Sequence, residues 1–143
     1  MAWVARCALL GCRHGKVRRL AGVRVKAVVY DRYGSPDVLR VVDVPVPPSA
    51  TGQVRVKVAA TSVNLSDWEG LRGSPGYARI GGLRHPARRT LGSDIAGVVD
   101  EVGEGVSRFR PGDEVYGENR AMMGGFAEYA LSRSPRSRTS RTS

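Results

Sequence analysis

Asn64 and Asp67 stand three residues apart, with Ser66 between them and Trp68 directly after. An Asn followed at that spacing by a carboxylate is helix-opening chemistry, because the amide oxygen and the carboxylate can take up backbone N–H groups that the first turn leaves without partners. Ser93-Asp94 forms a second polar pair, readable from its residue types as a turn that satisfies its own backbone. Trp68 can line a pocket, although a large aromatic behind a cap more commonly joins the core. His85, followed by Pro86 in a long loop, reads as a solvated imidazole, and no residue is assigned as catalytic.

Other constellations carry less. Cys7, Cys12 and His14 lie within one short segment but lack a fourth ligand and a recognised spacing, so zinc is not expected there. Gly103-Glu104-Gly105 lacks the third glycine and the following helical pattern of a phosphate-binding loop, and is read as a hairpin turn. No segment offers the strand, Gly-rich turn, helix and later acidic residue of a dinucleotide-binding unit. With only 2 cysteines there is no disulfide framework, which makes a reducing, cytoplasmic setting the expectation. No apolar run approaches the ~20 residues of a membrane span, so no membrane is expected as a partner.

The 143 residues amount to one domain and carry a formal net charge of +10. Where the charge sits decides what it means. Residues 25–131 hold 13 basic and 13 acidic side chains, whereas residues 1–24 hold 6 basic and no acidic ones and residues 132–143 hold 4 and none. The excess belongs to the flanks, and nucleic acid is not expected as a partner of the folded part.

The elements that must position the polar pairs are short and mostly extended. Val25 to Tyr30 and Val38 to Val44 read as strands separated by a turn at Tyr33 to Asp37, and the Pro-rich link 45–52 cannot supply ladder donors. Val54, Val56 and Val58 alternate with Arg55 and Lys57, which predicts one buried face and one wet face. Residues 64–72 predict a short helical turn, 73–89 a long Gly-rich basic loop, 91–103 a strand, and 114–117 and 125–131 the remaining β segments. This predicts a mostly β fold, an irregular β-barrel with a few short helical turns. The Ser/Arg-rich tail 132–143, whose only non-polar residue is Pro135, is predicted disordered.

Several ordered motifs resemble one family. They are Lys26-Ala27-Val28-Val29-Tyr30-Asp31-Arg32-Tyr33-Gly34-Ser35-Pro36, Ser62-Val63-Asn64-Leu65-Ser66-Asp67-Trp68, Leu91-Gly92-Ser93-Asp94-Ile95-Ala96-Gly97-Val98-Val99, Phe109-Arg110-Pro111-Gly112-Asp113-Glu114-Val115-Tyr116-Gly117 and Gly124-Gly125-Phe126-Ala127-Glu128-Tyr129-Ala130. Together they resemble the GroES-like N-terminal domain of the medium-chain dehydrogenase/reductase superfamily. The likeness is to its zinc-independent members, which are quinone-oxidoreductase-like and alcohol-dehydrogenase-like. The resemblance covers residues 25–131 and implies one wall of a cleft whose other wall, a Rossmann domain, holds NADH or NADPH and lies beyond what this chain matches. It implies hydride transfer to a quinone, enone or carbonyl as the small-molecule substrate, and it is compatible with a homodimer. Zinc-dependent relatives place Cys at Asn64 and His-Glu at Ser93-Asp94; an amide and a hydroxyl are poor zinc ligands, so no zinc is expected. Asn64, Asp67, Trp68, Ser93 and Asp94 are the implied cleft residues, with Asn64 turned toward the nicotinamide side. Without the second wall the chain is expected to hold NAD(P)H weakly and to be inactive alone.

The same resemblance puts Val25-Lys26-Ala27 where relatives begin Met-Lys-Ala, so translation is expected to start at Val25, with 1–24 a non-native or disordered extension. The abrupt change after Leu131 is expected to reflect a frameshift or truncation. The rival reading is a non-enzymatic interaction module, an oligomeric barrel or an RNA-binding adaptor working through its basic flanks.

Overall fold

The computed structural model describes residues 4–6, 22–119 and 122–133. Cys7, Cys12, His14 and the tail from residue 134 onward lie outside the described residues. Among those described, the fold is mostly β.

The first strand pair follows from the alternation of small and branched apolar residues. In the strand Arg24–Val29 the inward positions Val25, Ala27 and Val29 are buried, and the strand pairs antiparallel with Arg40–Pro45, Val25 opposite Val44 and Val29 opposite Arg40. Pro36–Val38 forms a single 3-10 turn, within the turn expected at Tyr33 to Asp37 but taking in Val38, which was expected to begin the second strand; Pro36 fixes φ for the turn and lacks a ladder donor.

The larger sheet is built around Gln53–Ser62. Counting the strand Val4–Arg6 as β1, the pair above as β2 and β3 and this long strand as β4, the others are β5 (Asp94–Val102), β6 (Glu114–Glu118) and β7 (Tyr129–Arg133). Their order across the sheet is β1-β6-β5-β4-β7, every pairing antiparallel. The two sheets are not closed into one ladder; isolated bridges Ala27 to Ala127 and Val29 to Thr90 join them. Two flank boundaries differ from the sequence reading. β7 runs through Arg133, with Ser132 fully buried, so order extends two residues past Leu131. Val4–Arg6, within the segment read as an extension, pairs with Val115 to Gly117.

Val54, Val56, Ile95, Val99, Phe109, Val115 and Ala130 form the main core. Fully burying a Val side chain is worth about 1.5–3 kcal/mol, so the two valines of β4 alone anchor the sheet. A second cluster, Tyr30, Leu71 and Leu91, ties the helix α1 (Leu65–Arg72) to the β2 side. Gly97 is required by close approach: a Cβ there would lie 2.1 Å from the Lys57 carbonyl oxygen across the β4–β5 ladder.

The expected wet face of β4 is not wet at Arg55, which is 5% exposed. The Pro-rich link lies over it: Arg55 Nη1 donates to the Pro47 carbonyl at 3.1 Å, Nε and Nη2 donate to Asp100 Oδ2 at 2.8 and 2.6 Å, and Glu101 pairs with Nη1 at 2.6 Å. The guanidinium is buried because three oxygens enclose it, which alternation in a single strand cannot reveal. No helix among the described residues is long and apolar enough to cross a membrane.

Candidate functional site

The polar pairs converge where β4 hands over to α1. Asn64 is the N-cap of α1: its Oδ1 accepts from the Ser66 N–H at 3.0 Å and from the Ser66 hydroxyl. Asp67 Oδ2 accepts from the Asn64 N–H at 3.0 Å, completing a reciprocal capping box. Its other oxygen, Oδ1, accepts from the Gly92 N–H at 2.9 Å, which locks the loop before β5 onto the helix. Both expected roles of Asn64 and Asp67 as caps are present.

The amide of Asn64 reaches across to the second pair. Nδ2 donates to Ser93 Oγ at 2.7 Å and to Asp94 Oδ2 at 3.1 Å. Ser62 Oγ also donates to Asp94 Oδ2, at 2.8 Å, and Ser66 Oγ lies 3.2 Å from Ser93 Oγ. The result is a connected cluster, Ser62, Asn64, Ser66, Ser93 and Asp94, in which one carboxylate oxygen is held by two donors.

A bulge at the β4–β5 ladder between Val58 and Ala60 sets which residues face outward here. Beyond it Ser62, Asp94 and Glu118 fall in one row across β4, β5 and β6, and Ala60, Ala96 and Tyr116 in the next. These residues line a groove of about 450 Å³. Asp94 Oδ2 is committed to Ser62 and Asn64, while Oδ1 accepts no hydrogen bond among the described residues.

The five expected cleft residues therefore separate. Asp94 lines the groove; Asn64 touches it through Asp94; Ser93 is 0% exposed and Asp67 2% exposed, both behind the wall. Trp68 is 44% exposed, stands outside the groove lining, and carries Arg72 stacked at 5.0 Å over its ring. His85 Nδ1 sits 3.2 Å from the Asp31 carbonyl and takes no part. Residues not foreseen include Ser62, Tyr116 and Asn119. Asn119 is fully buried beneath Ser93: its backbone N–H donates to the Ser93 carbonyl, and Nδ2 donates to Met123 O at 3.0 Å and Leu131 O at 2.7 Å. Period-two counting from Asp94 would have reached Ala96, but Ser62 and Tyr116 join only through cross-strand register, and nothing in the sequence marks Asn119.

Tyr30, packed against α1, donates to the Gly70 carbonyl at 3.4 Å. Burial, reinforced by the neighbouring Tyr33 and Asp67, pushes its phenol up to about 12. The donor set at Asn64, Ser93 and Asp94 is one amide, one hydroxyl and one carboxylate, a poor match to zinc. Among the described residues no cluster of three His, Cys, Asp or Glu side chains could hold a metal ion.

The sequence of residues 50–137 matches the alcohol dehydrogenase GroES-like domain. The chain belongs to that family. The quinone oxidoreductase of Rattus norvegicus is 38% identical over 109 residues, covering 76% of this chain and 31% of that protein. Among solved structures, the quinone oxidoreductase from Coxiella burnetii superposes with a TM-score of 0.68 at 33% identity, over 77% of this chain and 35% of its own. Crotonyl-CoA carboxylase/reductase AntE in complex with NADP gives 0.59 at 29% identity, over 77% and 35%. The chain thus spans about a third of the length of the relatives it matches, and it is the GroES-like domain of the medium-chain dehydrogenase/reductase superfamily.

Proposed function

We propose that residues 25–131 supply one wall of the active cleft of a zinc-independent NAD(P)H-dependent oxidoreductase that passes hydride to a quinone, enone or carbonyl. The observation that carries the reading is the clamped carboxylate of Asp94. Ser62 and Asn64 fix Oδ2 and leave Oδ1 as an oriented acceptor on a groove of about 450 Å³, within the range of small-ligand sites. A carboxamide N–H or a substrate hydroxyl is the natural partner of such an oxygen. Asn64, whose two amide protons are already engaged with Ser93 and Asp94, positions the carboxylate rather than meeting the ligand.

Bound reduced nicotinamide would supply the hydride; the residues here orient and shield it. All strand pairings among the described residues are antiparallel, so none of them forms the parallel unit that cradles a pyrophosphate. In this reading a second domain holds the dinucleotide, and residues 25–131 complete the cleft only together with it. The relatives named quinone oxidoreductase support a quinone as acceptor, and the small cysteine count supports a cytoplasmic setting.

The test joins this chain to the nucleotide-binding domain of a quinone oxidoreductase and follows NADPH absorbance with a quinone. The fusion is expected to oxidise NADPH, with kcat lowered at least tenfold by Asp94→Asn, while the 143-residue chain alone is expected to show no turnover and weak NADPH binding. Steady consumption of NADPH by the chain alone, or a folded, NADPH-binding fusion indifferent to Asp94→Asn, overturns the reading.

A further inference from the structure

We propose that the turn Ile80-Gly81-Gly82-Leu83 and the arginines around it form a docking surface for an anionic lipid bilayer, the two aliphatic side chains entering the acyl boundary and the guanidiniums meeting headgroup phosphates. Ile80 is 83% exposed and Leu83 82%, the most exposed large apolar residues among those described. Arg84, Arg88 and Arg89 follow, and residues 70–93 hold 5 arginines and no acidic residue. A solvated loop gains nothing from two bare aliphatic tips, whereas tips joined to cations are what an interfacial anchor requires.

The backbone gathers these groups in one place. A Cβ on Gly82 would meet the His85 carbonyl oxygen at 2.1 Å and one on Gly81 would lie 3.6 Å from the Ala87 Cβ, so Ile80 and Leu83 share one knot of chain with Arg84 and Arg88. The Arg89 carbonyl accepts from the Tyr30 N–H at 2.9 Å, and His85 Nδ1 sits 3.2 Å from the Asp31 carbonyl, which brings Arg32 beside the knot. Arg32, Arg84, Arg88 and Arg89 are exposed, and their side chains have no partner among the described residues. The Asp31 carboxylate is taken by Arg40. The tip is held in place: Tyr33 Oη donates to the Gly82 carbonyl, and Arg79, stacked 4.9 Å over the Tyr33 ring, donates from Nε to the Gly73 carbonyl at 2.8 Å. Little ordering is left to do on binding.

The tip selects the partner. Nucleic acid would answer the arginines but not Ile80 and Leu83, and a protein would need a pocket shaped to the turn; a bilayer takes both features without such a fit. This mode needs no spanning helix, and none is present among the described residues.

The test measures binding of the 143-residue chain to vesicles of phosphatidylglycerol and phosphatidylcholine, with phosphatidylcholine alone as the neutral arm. Because the flanks also carry cations, every variant keeps them intact. Ile80→Ser/Leu83→Ser, which changes no charge, is expected to weaken binding at least tenfold, and Arg84→Gln/Arg88→Gln/Arg89→Gln about a hundredfold, both with urea midpoints near the parent's. Leu83→Trp is expected to bind like the parent, its added indole emission shifting to the blue on anionic vesicles and being quenched by brominated lipid. Absence of binding to anionic vesicles, binding unaltered by either loop variant, or a Leu83→Trp emission unmoved by lipid overturns the proposal. So does loss of binding to an RNA oligonucleotide in the arginine variant that equals its loss on vesicles, with the serine variant unaffected on both, which would mark a general polyanion face. An emission already blue without lipid, when Leu83→Trp is carried in a fusion to a nucleotide-binding domain, overturns it as well, by making that second domain the occupant.

Discussion

Asp67 accepts the Gly92 N–H at 2.9 Å with the carboxylate oxygen that its capping box leaves over. One buried side chain thus fixes the start of α1 and the approach to β5, and with them the spacing between Asn64 and Ser93. Gly92 can serve as the donor because its backbone lies at φ +98° and a Cβ would sit 2.6 Å from the Phe126 nitrogen. Asp67→Ala orphans two backbone donors in a buried place and is expected to lower unfolding free energy by about 2–4 kcal/mol, read from the urea midpoint. Gly92→Ala should be at least as damaging, since it meets backbone rather than a movable side chain. A midpoint shift below that of an ordinary exposed cap would refute the double role of Asp67.

Asn64→Asp separates the cap from the cluster. Asp caps a helix about as well as Asn, so α1 should persist, but the new carboxylate would face Asp94 at a place where Nδ2 now donates at 3.1 Å. Each carboxylate raises the other's affinity for a proton in the folded state. The folded pair therefore binds protons more tightly than the unfolded chain, and the variant's stability relative to the parent should fall as pH rises from about 4 through neutrality. Parallel denaturant midpoints of parent and variant between pH 4 and 8 would show that the two residues do not meet.

Tyr30 sets an alkaline limit. At 3% exposure, and with its phenol pushed up to about 12 by burial and by Tyr33 and Asp67, it stays neutral in the fold after an unfolded tyrosine has begun to ionise near 10. Its contribution is fully present below pH 10 and is lost between 10 and 12, about 2 kcal/mol in all. Tyr30→Phe should be less stable at neutral pH by the loss of the contact to Gly70, and its midpoint should decline less than the parent's over that alkaline window. Identical slopes would place the ionisation elsewhere.

The sequence made some of this legible because certain signals are local. The Asn-x-x-Asp cap at 64 and 67 appears with both reciprocal hydrogen bonds; the alternating valines of β4 end in the core; Ser93-Asp94 lies beside Asn64. Local signals fail where register decides. The bulge at Ala59 brings Ser62 into the row of Asp94 and Glu118, and no period in β4 alone announces it. Asn119 is polar and fully buried, a choice made by three neighbouring segments rather than by its own.

Arg55 shows the same failure most sharply. Alternation assigned it to solvent, yet Asp100, Glu101 and Pro47 enclose it, and its guanidinium lies 5.8 Å from the Tyr129 ring centre. Removing a buried partner leaves the others uncompensated, which typically costs more than the pair contributes. Arg55→Met should therefore cost about 3 kcal/mol, because Asp100 and Glu101 would stand adjacent with no cation between them, their partial exposure tempering the loss. Arg55→Lys retains the charge but cannot span three acceptors with one planar group, and about half that cost is expected. Adding Asp100→Asn to Arg55→Met should recover part of the stability by relieving the repulsion. Denaturant midpoints for these three variants and for Asp100→Asn alone test the order, and additivity of the two single changes in the double variant would mean that Arg55 and Asp100 act independently.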